Sequence, residues 1–481
     1  MNQIVKPIIG RKQELQKLES QLARKSATLC VIKGRRRIGK SRLAKEFMQK
    51  YKHYEISGLA PEESVTAKDQ REAFLQQLRT QSDLLPLKTD DWSDLFLALA
   101  NLTAKGRVVV LLDEISWMGS KDPTFLGKFK IAWDTLFQKN PKLIVILCSS
   151  VSLWIDENIL GSKEFFGRVH CKITLEALSL QSSFQLLEQI GFQGSRMEKF
   201  MLLSLTGGVP WYIELIQPNL SAENNIKNLC FDKDGILVDE FQKIFNDLFG
   251  RRSAAYELIV KAIAEKSLSY QEIVKATKYQ SGGILTQYLK DLIESGYLVN
   301  APVWSIKTAA VSKVNYYRLS DNYLRFYLKY IQPNLVKIAN NQLQNIAVSA
   351  LPGWHTIIGL QLENLVLNNR ELIWHALGLN PMEIVMNNPY IQTASKVQQG
   401  CQIDYLIQTK YNALYVCEIK FSRRQIGLTV VEEMRDKLQR FKVAKHFTCI
   451  PVLIHLNGVT DELESSDYFA RVIDFSSLID D

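Results

Sequence analysis

Between Ala27 and about Leu178, short apolar runs alternate with polar stretches of helical spacing. The runs are ATLCVIKG, HYEISG, RVVVLLDE, KLIVILCSS and VHCKITLEAL, and their alternation predicts a doubly wound parallel sheet with helices on both faces. From Ser179 to about Phe249 the strand pattern gives way to a helical bundle, interrupted once at TGGVPW. Arg252 to Tyr330 holds three helical segments and two turn signals, then the strand-like pieces SGYLVNAPVW and VSKVNYYRLS. The polar stretch Gln332 to Gln344 reads as a connection, although its apolar periodicity also allows a docked helix. The final unit, from about Leu351 to Asp481, opens with a helix and continues with strands, one further helix and the strand HFTCIPVLIHL. These shifts predict units at 1–178, 179–249, 250–331, 332–350 and 351–481.

Composition agrees with an ordered, multidomain chain. Its 481 residues suffice for three or four domains, and 46% apolar with 23% charged residues is unlike a disordered or fibrous protein. The net charge is +9, and residues 1 to 60 alone hold fifteen Lys and Arg against four Asp and Glu. Such clustering favours polyanions, either nucleotide phosphates or a nucleic-acid backbone. The seven cysteines (30, 148, 171, 230, 401, 417, 449) are scattered singly with no zinc or disulfide spacing, which suits a reducing compartment. MNQIVKPIIGRKQE has no apolar signal core, and no stretch reaches the apolar length of a membrane span, so the expectation is a cytoplasmic protein without a membrane partner.

The segment VIKGRRRIGKSR runs from an apolar strand through G-x-x-x-x-G-K-[ST] into a helix. Its candidate nucleotide-binding residues are Gly34, Arg35, Arg36, Arg37, Ile38, Gly39, Lys40, Ser41 and Arg42. The glycines let backbone amides turn toward phosphates, Lys40 reaches the β and γ phosphates, and the Ser41 hydroxyl binds magnesium. In VVVLLDE, an unbroken apolar run precedes Asp113, as in a buried parallel strand that delivers a carboxylate at its C-terminal end. Asp113 is expected to hold the magnesium through water and Glu114 to polarise the attacking water.

A second constellation lies in the last unit. Alternation in ALYVCEIKFS puts Val416, Glu418 and Lys420 on one strand face. In GCQIDYLIQ, Ile403, Tyr405 and Ile407 are expected to face one way, with Asp404 and Leu406 opposite. Phosphodiester hydrolysis needs hard oxygen ligands for a divalent metal beside one positive charge. Asp404 and Glu418 fit as ligands of Mg2+ or Mn2+, with the Ile419 carbonyl as a third. Lys420 would orient or deprotonate the water, and Glu363 in the helix GLQLENLVL would assist the metal as an auxiliary acid. Downstream, Arg423, Arg424, Lys437 and Arg440 could meet a DNA backbone or form a solvated helix face.

Several segments together carry a family resemblance: IIGRKQEL at 8 to 15, the phosphate loop, LLDEISWM, LCSSVSLW, FFGRVHCKITLEALS, TGGVPWYIEL and YYRLSDNYLRFYLKYI. On these, residues 1 to about 335 resemble archaeal-type ATPases of the AAA+/STAND P-loop superfamily. The tail's acid helix, Asp strand and E-x-K fourteen residues later resemble the PD-(D/E)XK superfamily, although Ile403 stands where the founding motif has Pro. The implied α/β fold is a P-loop NTPase parallel sheet with a helical lid, a winged helix and a C-terminal restriction-endonuclease-like domain. By the same resemblance Gly10 and Arg11 line the adenine pocket, and Ser149 or Ser150 senses the γ-phosphate. Arg168 in FGR would complete the site, while Gly208 and Pro210 belong to the lid over the nucleotide. A nucleotide-dependent oligomer is open, because AAA+ relatives often form rings and STAND relatives often wait as monomers.

The order of elements from Arg252 to Tyr330 resembles a winged helix, whose third helix SGGILTQYLKDLIESGYLV has apolar Ile284, Leu285, Leu289, Leu292 and Ile293 at helical spacing and Gln287, Lys290 and Asp291 among its other positions. Its mildly basic exposed side fits either DNA contact or packing against the rest of the chain. Three functions follow. The first is an ATP-binding and ATP-hydrolysing, DNA-processing enzyme with a metal-dependent nuclease tail. The second is a STAND-type switch controlled by ATP and ADP, and the third a DNA-binding regulator that does not cut.

Overall fold

The computed structural model describes residues 7–60, 62, 64–83, 89–279, 282–394 and 398–479. The chain divides into two compact units: Met1–Ala177 with Ile244–Ser253 and Glu294–Gly296, and Leu178–Lys243 with Ala254–Ile293 and Tyr297–Asp481.

All five predicted apolar runs of the first unit become strands: β1 (Thr28–Gly34), β2 (Lys52–Ser57), β3 (Val108–Asp113), β4 (Leu143–Ser149) and β5 (Val169–Leu175). They form one parallel sheet in the order β2-β3-β4-β1-β5. β3 and β4 are buried along their whole length because both faces are covered, which explains their unbroken Val, Ile and Leu runs. Alternate residues serve opposite cores. Val108, Val110 and Leu112 join an aromatic cluster of Phe74, Trp92, Phe96, Phe125 and Phe129, whereas Val109 and Leu111 join Leu18, Leu43, Phe47, Cys30 and Ile32. Parallel register brings Lys33 beside Ser149 and Ser57 beside Asp113, so the residues with candidate chemistry gather at one edge of the sheet.

The second unit begins with helices Leu180–Gln189, Arg196–Thr206, Pro210–Glu214 and Ala222–Cys230. Helices Ser253–Ile263, Tyr270–Thr277 and Gly283–Glu294 then precede an antiparallel hairpin of β7 (Leu298–Trp304) and β8 (Val311–Leu319), extended by the short β6 (Leu268–Ser269). In helix Gly283–Glu294, Leu285, Leu289 and Leu292 are buried as their spacing predicts. Two positions differ from that spacing. Ile284 is 67% exposed, and Asp291 is buried because its carboxylate accepts the Tyr256 hydroxyl. The stretch after Tyr330 contains a short helix, Leu335–Ala339, anchored by buried Ile338.

A mixed five-stranded sheet in the order β13-β12-β11-β10-β9 closes the chain. β9 (Ile384–Gln392), β10 (Cys401–Thr409) and β11 (Ala413–Lys420) pair antiparallel. Helix Thr429–Arg440 then leads to β12 (Thr448–His455), which lies parallel to both β11 and β13 (Arg471–Asp474). The hairpin is sewn to this sheet. Trp304 packs in its core, donating Nε1–H to Gln408 Oε1 at 2.7 Å, and Gln408 Nε2 donates to the Ile306 carbonyl at 2.8 Å. Helix Trp354–Asn368 is buried on nearly every side, and its polar Gln361 and Asn364 are accommodated by hydrogen bonds to the backbone of Asn322 and Leu319.

Candidate functional site

β1 ends at Gly34, and the loop that follows turns sharply into helix Lys40–Met48. Arg37 and Gly39 both have positive φ, at 69° and 94°. Gly34 is irreplaceable for a spatial reason: a Cβ there would stand 2.5 Å from the Leu175 carbonyl oxygen on β5. The buried Lys40 ammonium donates to the carbonyls of Gly34 and Arg35, each at 3.0 Å. Burial lowers its pKa, and the negative charge of Glu114 opposes that shift. The loop is braced from two sides. Arg11 Nη2 donates to the carbonyls of Ile38, at 3.2 Å, and Glu176, at 2.9 Å, while Arg36 forms an ion pair with Asp247. Gly10, with φ of 69°, makes the turn before that buried arginine.

On β3, Asp113 Oδ1 accepts the Glu114 N–H at 3.2 Å, and Glu114 itself has a left-handed backbone, φ 50°. The Glu114 carboxylate accepts both the backbone N–H and the hydroxyl of Ser150, each at 2.9 Å. Burial raises the Glu114 pKa, while Lys40 and Ser150 hold it down. Of the two serines considered, Ser150 therefore reaches the acid. Ser149 is fully buried, its Oγ 2.7 Å from Ser116 Oγ. A hydroxyl at Ser41 and carboxylates at Asp113 and Glu114 are the hard oxygen donors that magnesium takes.

Arg168 stands away from its own chain's phosphate loop. It directly precedes β5, and the register pairs Val169 with Leu29 but Leu175 with Gly34. Arg168 lies one residue before the first pair, six strand positions from Gly34, so it stands roughly 20 Å from the phosphate loop along the sheet, at the opposite end. It is held there by Asp134, with Nε to Oδ1 and Nη2 to Oδ2 both at 2.8 Å. Pro210 opens the helix Pro210–Glu214 in the second unit, where the Gly208 carbonyl accepts the Leu178 N–H.

In the second unit, the acids of the tail sit within one charged network. β10 departs from strict alternation at one point. Its pairing with β9 slips between Ile403 and Leu406, so both side chains enter the same apolar cluster, and Asp404 lies in the irregular stretch between them. Asp404 Oδ2 accepts the Ile419 N–H at 3.0 Å. Glu418 and Lys420 do share a face, with a 3.0 Å ion pair, and Lys420 also reaches Glu433 at 2.7 Å. Lys437 is drawn inward, paired with Glu418 and 4.0 Å from Asp404, which removes it from a backbone-facing row. Arg440 is likewise paired, with Asp436. Among the described residues no three His, Cys, Asp or Glu are grouped to hold a metal ion.

Burial, with the charges of Asp404 and Glu418 adding to it, pushes Glu363 up to about 7, while Arg318 and Arg325 oppose the rise. Asp404 is pushed up to about 6 by burial and Glu418, against Lys437. Asp247, Ser150 as the Glu114 partner and Arg318 were not singled out from sequence. Each lies far along the chain from its partner, so no local spacing announces the pairing.

Residues 8–216 match the profile of an ATPase domain found predominantly in Archaea. Over 337 residues the chain is 26% identical to a protein of Methanocaldococcus jannaschii described as uncharacterized, covering 69% of this chain and 70% of that one. Its fold is similar to the Walker-type ATPase of Pyrococcus abyssi, with a TM-score of 0.50 and 21% identity over 67% of this chain and 96% of that chain. The ORC2 protein of Aeropyrum pernix overlaps 71% of this chain and 97% of its own, with 15% identity and a TM-score of 0.42. Residues 8–216 thus carry an archaeal-type ATPase domain, and its parallel five-stranded sheet is that of P-loop ATPases. Among the described residues no helix is long and apolar enough to cross a membrane.

Two outcomes follow. Gly34→Ala forces the loop away from Leu175 and weakens ATP binding by about tenfold or more, equivalent to about 1.4 kcal/mol, in an equilibrium titration; unchanged affinity would contradict the geometry. The second concerns pH. Glu363 and Asp404 titrate above their ordinary values of 4.5 and 3.8, so the folded chain binds extra protons in that window. Stability is then highest below it and declines as pH rises toward about 7. Glu363→Gln should flatten this decline in the thermal midpoint, whereas an identical slope would remove Glu363 from the account.

Proposed function

We propose that the chain is an ATPase whose nucleotide cycle governs a nucleic-acid-directed centre in its C-terminal residues, with DNA the favoured partner. The observation that carries the proposal is the convergence of Lys40, Asp113 and Glu114 at one edge of one parallel sheet, close enough for the Lys40 and Glu114 charges to act on each other.

In this reading, nucleotide phosphates are received by the loop amides and the N-terminal end of helix Lys40–Met48. Lys40 exchanges the carbonyls of Gly34 and Arg35 for phosphate oxygens, with little reorganisation because it is already buried at the loop. Ser41 and Asp113 would hold magnesium, which neutralises phosphate charge when bound. Glu114 orients the attacking water and accepts its proton; its upward-shifted pKa makes it a stronger base than an ordinary carboxylate. Gly10 and Arg11 border the base, and Pro210 belongs to a lid. Arg168 could serve only a nucleotide on a second copy, which is where a nucleotide-dependent assembly enters the proposal.

For the C-terminal centre, the leading reading is metal-dependent phosphodiester cleavage in a restriction-endonuclease-like domain. Asp404 and Glu418 would hold Mg2+ or Mn2+, Lys420 would position the water, Glu363 would assist, and the preceding winged helix would engage DNA. Lys437 then acts as a resident counter-charge on Glu418 that a cation must displace. The same pair favours a second reading: the acids form a structural ion-pair network, and the chain is a nucleotide-controlled switch with an inactive tail.

A pair of variants separates the readings. With ATP and magnesium or manganese, Lys40→Ala should lose about 10²-fold or more of ATP turnover. Glu418→Ala should keep that turnover and lose DNA nicking. If the wild-type chain leaves every DNA and RNA form intact, the cleavage reading falls and the switch reading stands.

A further inference from the structure

The sheet of the first unit holds a pair of groups that the nucleotide chemistry leaves unused. β1 and β5 pair Leu29 with Val169 and then Cys30 with Cys171, so His170 is an extra residue in β5. The imidazole of that bulge is anchored, its Nδ1 accepting the Leu29 N–H at 3.2 Å. The extra residue also switches faces. Val169 packs against the aromatic core, whereas Cys171 joins Cys30, Ile32 and Leu18 in the core on the other side.

The two thiols thereby become direct neighbours on paired strands, on the same face of the sheet. Adjacent strands run about 4.7–4.9 Å apart, inside the roughly 4.4–6.8 Å between α-carbons that a disulfide spans. Cys148, on the other flank of β1, is paired with Ile32 and so is displaced by two residues from Cys30. Of the remaining cysteines, 230, 401, 417 and 449 belong to the second unit. Access favours Cys171, which lies on an edge strand and is 7% exposed while Cys30 is fully buried.

We infer that Cys30 and Cys171 form a peroxide-reactive dithiol that closes to a disulfide between the edge strand and the strand leading into the phosphate loop. The two sulfurs are unequal: Cys171 sits on the edge strand with the Cys30 thiol and Lys17 favouring its thiolate, while Cys30 is fully buried and raised. The Cys171 thiolate attacks one oxygen of hydrogen peroxide, breaking the O–O bond and forming a sulfenic acid. The departing hydroxide takes the displaced thiol proton and leaves as water. The Cys30 sulfur then attacks the sulfenic sulfur, the S–S bond forms as S–O breaks, and the second water carries away the Cys30 proton. Two thiols and one peroxide give one disulfide and two waters. Because Cys30 stands four residues before Gly34, the link fixes β1 just below the nucleotide loop.

The test uses the full chain in its native state. After stoichiometric peroxide, alkylation and digestion without reductant, mass spectrometry should find the Cys30 and Cys171 peptides cross-linked, with dithiothreitol restoring both thiols. Cys171→Ser should form no link and leave Cys30 alkylatable. In Cys30→Ala the Cys171 sulfenic acid has no partner and should be captured by dimedone. Free alkylation of both thiols after peroxide, or a link from Cys171 to Cys148, would overturn the inference.

Discussion

The parallel register of β1 between β4 and β5 is the constraint on which the nucleotide site depends. It sets Gly34 beside Leu175 so tightly that only glycine fits, and it brings Lys33 level with Ser149. β3, one strand beyond β4, then delivers Asp113 and Glu114 to the same edge as the loop. No side chain in this arrangement has to reach far. Lys40 rests on its own loop carbonyls and Glu114 on Ser150, so each reactive group is held by a partner that a nucleotide or water can replace. The same register excludes Arg168 from its own chain's loop, since a residue that starts β5 stands at the opposite edge from one that ends β1.

A different balance governs the second unit. Buried carboxylates are costly unless cations or amides meet them, and here Asp404 has the Ile419 amide, Glu418 has Lys420 and Lys437, and Glu363 lies near Arg318 and Arg325. Burial nonetheless raises both Glu363 and Asp404 above their ordinary values, so that compensation is incomplete. An acid cluster compensated in this way suits a tightly buttressed joint between the hairpin and the mixed sheet, where Trp304 and Gln408 already interlock.

The first unit was largely legible because its signals are local. Runs such as VVVLLD and LIVILCS state that a strand is covered on both faces, and G-x-x-x-x-G-K-S states where the chain must turn. Long-range pairing was not legible. Asp247 meets Arg36 across more than two hundred residues, and Asp134 claims Arg168 from a helix with no motif. Ile403 departs from the expected alternation because β10 slips against β9 between Ile403 and Leu406, and both enter one apolar cluster. Lys437 looked like an exposed helix cation until the strand beneath it supplied Glu418.

In the proposed mechanism Glu114, poised between Ser150 and Lys40, performs the proton transfer of ATP hydrolysis. Single-turnover hydrolysis in Glu114→Gln, measured beside equilibrium ATP binding, tests it most directly. Affinity is expected to stay unchanged while hydrolysis slows by about 10²-fold or more. Hydrolysis at the wild-type rate with nucleotide fully bound would contradict it.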